Sequence, residues 1–361
     1  MANSAAASVT LAAIRSAQLL GQSRVRCTPL LRSDIVDELA GVAASFKCEH
    51  LQQTGSFKFR GALNAVMSLD DDAAAKGIVA HSTGNHGAAV AAAAAARRIP
   101  CTVVVPKDTP AAKIVNVQRY GARVVLCEPT QRARADAVAV ESAKTGAHFV
   151  HPFNDPLVIA GQGTIGLEIV EQLAEVDAVL VPTSGGGMVS GIAAAIRALV
   201  PHARVIACEP EGKRLQDALA LSTRIVDPST ADALLPTIAD AIRTQPLGPV
   251  PWELASTQRL LDPHVLSVSD EQVAAAMALS MLELKQAVEP AGAVALAALL
   301  SPGFAALRDE GVLDPRSGEQ RALQSVALVV CGGNVDPKTL ADLVTAPAAA
   351  QQAARWIAGV A

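Results

Sequence analysis

The chain has 361 residues, 30 Lys and Arg against 34 Asp and Glu for a net charge of −4, and is 51% hydrophobic but only 2% aromatic. That length admits two domains or one large α/β unit, and a core of Ala, Val, Leu and Ile suits buried parallel strands under alanine-rich helices. With no basic block and few aromatics, the chain argues against nucleic-acid binding, and no apolar run reaches the roughly 18 to 20 residues of a membrane span.

The opening "MANSAAASVTLAAIRSAQLLGQSRVRCTPL" is rich in Ala, Ser and Arg and carries no acid before Asp34. It reads either as a transit peptide or as an amphipathic helix near Val9 to Leu20 leading into an extended "CTPLL". The helix is the reading adopted, with a cytosolic location as its consequence. Next comes "QQTGSFKFRGA", which puts Lys58 at the start of a helix, where its charge opposes the helix dipole. A solvated surface lysine is the ordinary explanation; a lysine with chemical work is the other.

From residue 77 the chain alternates apolar strands with helical stretches. "GIVAHS" leads into "GNHGAAVAAAAAARRIP", "CTVVVP" into "AAKIVNVQRYGA", and "RVVLCEP" into "QRARADAVAVESAKTG". "AHFVHP" then precedes "PLVIAGQGTIGLEIVEQL", "VDAVLVP" precedes "GMVSGIAAAIRALVP", "ARVIACEP" follows, and "SVALVVC" precedes "PKTLADLV". This spacing predicts right-handed βαβ units in two parallel sheets, with ligands beyond the carboxyl ends of the strands. About 25 residues follow the last strand and turn, too few for an added regulatory domain of ordinary size. Six cysteines are scattered singly, in no metal-ligand or redox spacing, so the thiols read as reduced and cytosolic.

Three strand ends carry polar turns. "SGGGM" (184 to 188) sets consecutive glycines between a strand and a helix, which lets backbone N–H groups converge on one phosphate. It is neither GxGxxG nor followed by a lysine, so a dinucleotide or a nucleoside triphosphate fits poorly, and a smaller phosphorylated cofactor fits better. "STGNHG" (82 to 87) offers two hydroxyls, an amide and a helix N-terminus, either as a cap or as a carboxylate or phenolate site. "CGGNVD" (331 to 336) ends the last strand.

Taken together, "KCEHLQQTGSFKFRGA", "STGNHG", "IAGQGTIGLEI", "SGGGM", "VEPAGA" and "CGGNVD", in that order between residues 27 and 336, resemble the β-family of pyridoxal 5′-phosphate enzymes. The resemblance is to the serine/threonine dehydratase and serine racemase branch. It implies an α/β, two-domain fold type II enzyme (tryptophan synthase β-like) with parallel sheets flanked by helices. A small inserted domain would span 73–151 and a large cofactor-binding domain 1–72 and 152–361. Lys58 aligns with the lysine that bonds the cofactor and then acts as base at Cα. Its pKa would be lowered by neighbouring positive charge and partial burial. Phe57 would flank the ring, Asn85 would hydrogen-bond its phenolic oxygen, and Ser184, Gly185, Gly186, Gly187 and Met188 would wrap the phosphate. Cys331 would face the pyridine nitrogen, where a thiol is a poor proton donor and leaves a moderate electron sink.

Ser82, Thr83, Gly84 and His86 would hold the substrate carboxylate, and Arg134 matches an arginine at the substrate end, although the acid that follows it in animal racemases is Ala135 here. Thr83 stands where racemases carry a serine as the second proton carrier. Glu209 resembles the first ligand of a structural Mg²⁺ or Ca²⁺, but the later acidic ligand falls on Leu215, so a surface acid is the competing reading.

The implied activity is an L-serine/L-threonine ammonia-lyase, giving a 2-oxo acid and ammonia by α,β-elimination. The alternatives are a serine racemase with side elimination, a 3-hydroxyaspartate ammonia-lyase, a β-replacement enzyme, and a non-catalytic binding protein of the same fold. The expected partners are a hydroxyamino-acid substrate and a second copy of the chain, with neither nucleic acid nor membrane.

Overall fold

The computed structural model describes residues 4–82, 84–109, 111–226, 234–314 and 317–359. Its strands are β1 (Leu30–Leu31), β2 (Ala43–Lys47), β3 (Ile78–His81), β4 (Cys101–Pro106), β5 (Arg123–Cys127) and β6 (His148–Phe149). They continue with β7 (Ala178–Pro182), β8 (Arg204–Pro210), β9 (Val265–Val268), β10 (Val312–Leu313), β11 (Gln320–Arg321) and β12 (Ser325–Val329).

Six strands form one sheet in the order β1-β2-β12-β7-β8-β9, and four form another in the order β5-β4-β3-β6. All pairs in both sheets are parallel except β1 with β2. Val179 and Leu180 of β7 and Val326 to Val329 of β12 are buried and apolar. Such continuous runs are what a sheet covered on both faces selects. β10 and β11 form a separate antiparallel pair.

The alternation read from residue 77 onward holds, and it misses β2 and β9. β2 reads AASFK, without a β-branched residue, yet it pairs with β12 from Ala43 opposite Ser325 to Lys47 opposite Val329. Tertiary pairing here overrides local propensity.

The amphipathic helix near the start runs Leu11–Gly21 and packs on the helix Pro156–Gln172. The latter helix also packs on Lys58–Met67 and Gly187–Leu199, so it ties the lysine-bearing helix to the helix behind the glycine turn. Among the described residues no single helix is long and apolar enough to cross a membrane.

Candidate active site

Because the strands run parallel, the turns after β3, β6, β7 and β12 gather at their carboxyl ends. They line a cavity of about 980 Å³, together with Phe57 and Lys58. Phe57, Lys58, Ser82, Gly84, Asn85, His86, Arg134, the run Ser184 to Met188 and Cys331 all lie on its wall. Thr83 lies outside the described residues.

The turn carrying Lys58 is tied to the turn after β12. Phe57 N–H donates to the Cys331 carbonyl at 3.1 Å and Gly333 N–H to the Gly55 carbonyl at 3.0 Å. Thr54 sits at φ 64°, a costly left-handed conformation for a β-branched residue. Asn334 Nδ2 holds that peptide by donating to the Thr54 carbonyl at 2.8 Å. Lys58 then opens the helix Lys58–Met67 with no side-chain cap beside it.

The Lys58 side chain is half-buried, and Nζ donates to the Pro152 carbonyl at 2.8 Å and lies 4.9 Å from the Phe57 ring centroid. Burial lowers its pKa to about 8, against the opposing pull of Cys331 and Glu289. Neighbouring positive charge, expected to share in this shift, is not among its causes; desolvation of the amine suffices.

The glycine turn fits a phosphate. Gly186 adopts φ +94°, a left-handed conformation that side chains avoid. A Cβ on Gly185 would stand 2.5 Å from the Phe153 ring, so the turn lies flat against that ring. The helix Gly187–Leu199 starts there without a side-chain cap, and the Ser190 N–H, bonded to the Gly186 carbonyl at 3.0 Å, is the first inside the ladder. The N–H groups of Gly187, Met188 and Val189 precede it, at the positive end of the helix dipole.

Opposite the turn, Cys331 is 2% exposed and its Sγ–H donates to the Ala291 carbonyl at 3.3 Å. Burial, then Glu289, pushes the thiol well above its usual pKa, so it stays protonated at neutral pH. Asn85 opens its own helix (Asn85–Arg97) and is fixed from two sides. Its Nδ2 donates to Glu289 Oε1 at 2.7 Å and its Oδ1 accepts from Asn334 Nδ2 at 2.7 Å.

Glu289, in the stretch "VEPAGA", is a site residue that the motifs do not reveal. It is 3% exposed, and burial, then Asp240, raises its pKa to about 7. The Glu-Pro start of the helix Pro290–Leu299 was the available signal.

His81, Phe149, His151 and Phe153 follow one another in tilted and edge-on ring contacts that end at the glycine turn, with adjacent centroids 5.4, 5.5 and 4.6 Å apart. Burial lowers His81 and His151 to about 4, aided by Arg134 at His81 and by His81 at His151, so both rings are neutral. His86 turns its ring inward, Nε2 lying 2.9 Å from the Val150 carbonyl, and burial keeps it neutral as well. The Arg134 Nε is buried without a hydrogen-bond partner, and the side chain forms no ion pair among the described residues. Arg224 and Arg243 lie on the same cavity wall and donate Nε to the backbone carbonyls of Leu247 and Leu235. Asp108 is the acid whose field reaches Arg134.

Glu209, at the end of β8, is 1% exposed, so the surface-acid reading does not hold. Nor do its surroundings fit a divalent cation. Leu215 is a buried apolar residue, and among the described residues no three His, Cys, Asp or Glu side chains cluster to hold a metal.

A family model described as "Pyridoxal-phosphate dependent enzyme" matches residues 22–332. A serine racemase of Arabidopsis thaliana is 40% identical over 315 residues, 87% of this chain and 90% of that protein. A beta-hydroxyaspartate dehydratase of Paracoccus denitrificans (strain Pd 1222) is 41% identical over 312 residues, 86% of this chain and 92% of that protein. The solved structure of maize serine racemase superposes with a TM-score of 0.83 at 38% identity, covering 92% of this chain and 96% of that one.

Proposed function

Because the chain belongs to the family of pyridoxal-phosphate-dependent enzymes, we propose that it is an ammonia-lyase for 3-hydroxyaspartate. The observation that carries this reading is Arg134, a guanidinium on the cavity wall with a buried, unpartnered Nε. An arginine fork left without a carboxylate is a site for one, and a second carboxylate at Cβ distinguishes 3-hydroxyaspartate from serine and threonine. Neutral His81 and His151 and the nearby Arg224 and Arg243 leave that wall cationic against Asp108. Ala135 supplies no acid to quench it.

The two relatives described are named for serine racemisation and β-hydroxyaspartate dehydration. They support those alternatives better than the first expectation of an L-serine/L-threonine ammonia-lyase.

Bound pyridoxal phosphate supplies an electron sink for the pair left at Cα when its proton is removed. The chain's own groups do the rest. With a pKa near 8, Lys58 presents a useful neutral fraction at neutral pH and takes the Cα proton. The N–H groups of Gly187 to Val189 would hold the phosphate, Phe57 would flank the ring, and Asn85 Nδ2, which keeps a second N–H beside the one given to Glu289, would serve the ring oxygen. Cys331, kept protonated, would lend the ring nitrogen no strong acid and so would leave the bound cofactor a moderate electron sink, suited to loss of a β-hydroxyl. Ser82 and the backbone of Gly84 to His86 hold the α-carboxylate, and Arg134 the β-carboxylate.

The test compares kcat/KM for 3-hydroxyaspartate and L-serine in the wild type and in Arg134→Ala. Loss of a charge-assisted bidentate contact should cost about a hundredfold on 3-hydroxyaspartate, roughly 3 kcal/mol, with L-serine little changed. A wild type that prefers L-serine, or an equal loss on both substrates, contradicts the reading.

A second reading, serine racemase with side elimination, is favoured by the 40% identity to the Arabidopsis enzyme. It needs a second proton carrier, and the resemblance assigns that to Thr83. Thr83→Ala should then abolish D-serine formation while leaving elimination from L-substrates within about tenfold. A cytosolic homodimer completes the proposal, with sedimentation of the holoenzyme as the test of the subunit number.

A further inference from the structure

The resemblance expects a divalent cation beside Glu209, and the segment that follows Glu209 carries a lysine. Between β8 and the helix Leu215–Ala220 the chain turns through Gly212 at φ +91° and puts Lys213 beneath the glycine turn. Lys213 Nζ donates to the carbonyl of Thr183 at 2.8 Å, and Thr183 is the residue immediately before Ser184. Thr183 in turn is locked to β8, its N–H donating to the Cys208 carbonyl at 2.7 Å. Glu209, 1% exposed, follows Cys208 and accepts the Leu215 N–H at 3.4 Å.

A backbone carbonyl and a buried carboxylate are the oxygens a hard cation takes; here the Lys213 ammonium donates to the Thr183 carbonyl and bears on Glu209 through charge, without an ion pair between them. Burial pushes Glu209 up and Lys213 down in pKa, and each group's charge opposes the other's shift. Leu215, 5% exposed, closes the remaining side with apolar surface rather than a further oxygen.

We propose that the Lys213 ammonium takes the place of a divalent cation, bracing β8 against the root of the phosphate turn, so that this enzyme needs no metal. Lys213 is a positioning residue: it touches neither substrate nor cofactor and acts through the Thr183 peptide on the N–H groups that follow. The inference rests on Ser184 to Gly187 being the phosphate turn, and not on which hydroxyamino acid is used.

Two arms test it. In the first, wild-type holoenzyme is stripped with EDTA and dialysed against ⁴⁵Ca²⁺. The expected result is no stoichiometric calcium binding, with cofactor affinity and turnover unchanged by EDTA or by added Mg²⁺. One bound calcium per chain that is lost in Glu209→Gln overturns the proposal, whatever the substrate proves to be.

In the second arm, Lys213→Ala should weaken cofactor binding about ten- to a hundredfold in EDTA, as loss of an outer supporting group does. Millimolar Mg²⁺ or Ca²⁺ should restore it, and Lys213→Ala/Leu215→Asp, which returns the missing carboxylate, should bind calcium outright. A merely structural lysine gives no cation rescue. Cofactor affinity indifferent to Lys213→Ala, or weakened without rescue in both variants, contradicts the bracing role. Failure of Lys213→Ala to fold leaves the wild-type calcium arm to decide.

Discussion

Lys58 and Arg60 stand two residues apart in one helix, and the protein treats their charges in opposite ways. Arg60 is 2% exposed and saturated: Nε donates to Glu49 at 2.7 Å, Nη1 to Glu168 at 2.6 Å, and Nη2 to both carboxylates at 2.7 and 2.9 Å. Lys47 completes the set, its Nζ contacting Glu168, the Thr28 carbonyl and Gln172. Two cations thus face two carboxylates. Burial alone would lower the pKa of Arg60, but Glu49 and Glu168 outweigh it and raise the group further. Lys58 has one backbone carbonyl and, among the described residues, no carboxylate at ion-pair distance, so burial wins and its pKa falls. A structural cation is one whose desolvation is compensated in place. A cation with reduced affinity for its proton, on the wall of a cavity, is available for chemistry.

The contrast predicts different failures. Lys58→Ala should lower turnover by at least about 10⁴-fold, since base and cofactor-bonding group are lost together, with the thermal transition of the folded protein preserved. Arg60→Met should do the reverse. Leaving Glu49 and Glu168 buried with only Lys47 should cost about 3–5 kcal/mol in urea unfolding, with KM of the folded fraction unchanged. Equal damage to stability from both substitutions would erase the distinction.

Smaller effects sharpen it. A Cβ on Gly332 would lie 2.3 Å from Glu289 Oε1 and 3.2 Å from Asn85 Nδ2. Gly332→Ala should therefore cost about 1–3 kcal/mol of stability and loosen cofactor binding, measured by equilibrium dialysis.

The smallest effect carries a sign. Lys58 has a folded pKa near 8 against an ordinary 10.5, so between those values the unfolded chain binds more protons. Its cost to the apoprotein is fully present below about pH 8 and fades as pH rises through 10.5. Lys58→Met should stabilise the apoprotein by on the order of 1–2 kcal/mol at pH 7, a gain absent at pH 11. A loss at pH 7 would mean that the Pro152 carbonyl and its surroundings compensate the buried ammonium.

Which parts of this were legible in the sequence follows from where the information sits. Asn85, the glycine turn and Cys331 were readable because each lies in a short motif at a strand end, and Lys58 because it lies in one at a helix start; the cavity gathers all of them. β2 was not, because AASFK has no β-branched residue and is a strand by pairing with β12. The Arg60 cluster escaped for a similar reason: Glu49 and Glu168 are 119 positions apart and meet only across packed helices. Lys213 escaped because nothing in its spacing reveals the Thr183 carbonyl, 30 positions away, that its ammonium meets.

The account turns on Lys58 being the lysine that the cofactor bonds, and one measurement addresses this directly. Holoenzyme is reduced with borohydride, digested and mapped by mass spectrometry, with Lys47 and Lys213 as internal controls of other buried amines. The account predicts a phosphopyridoxyl mass on the peptide containing Lys58 and on no other. The same mass on Lys47, Lys213 or any further lysine, with Lys58 unmodified, would contradict it.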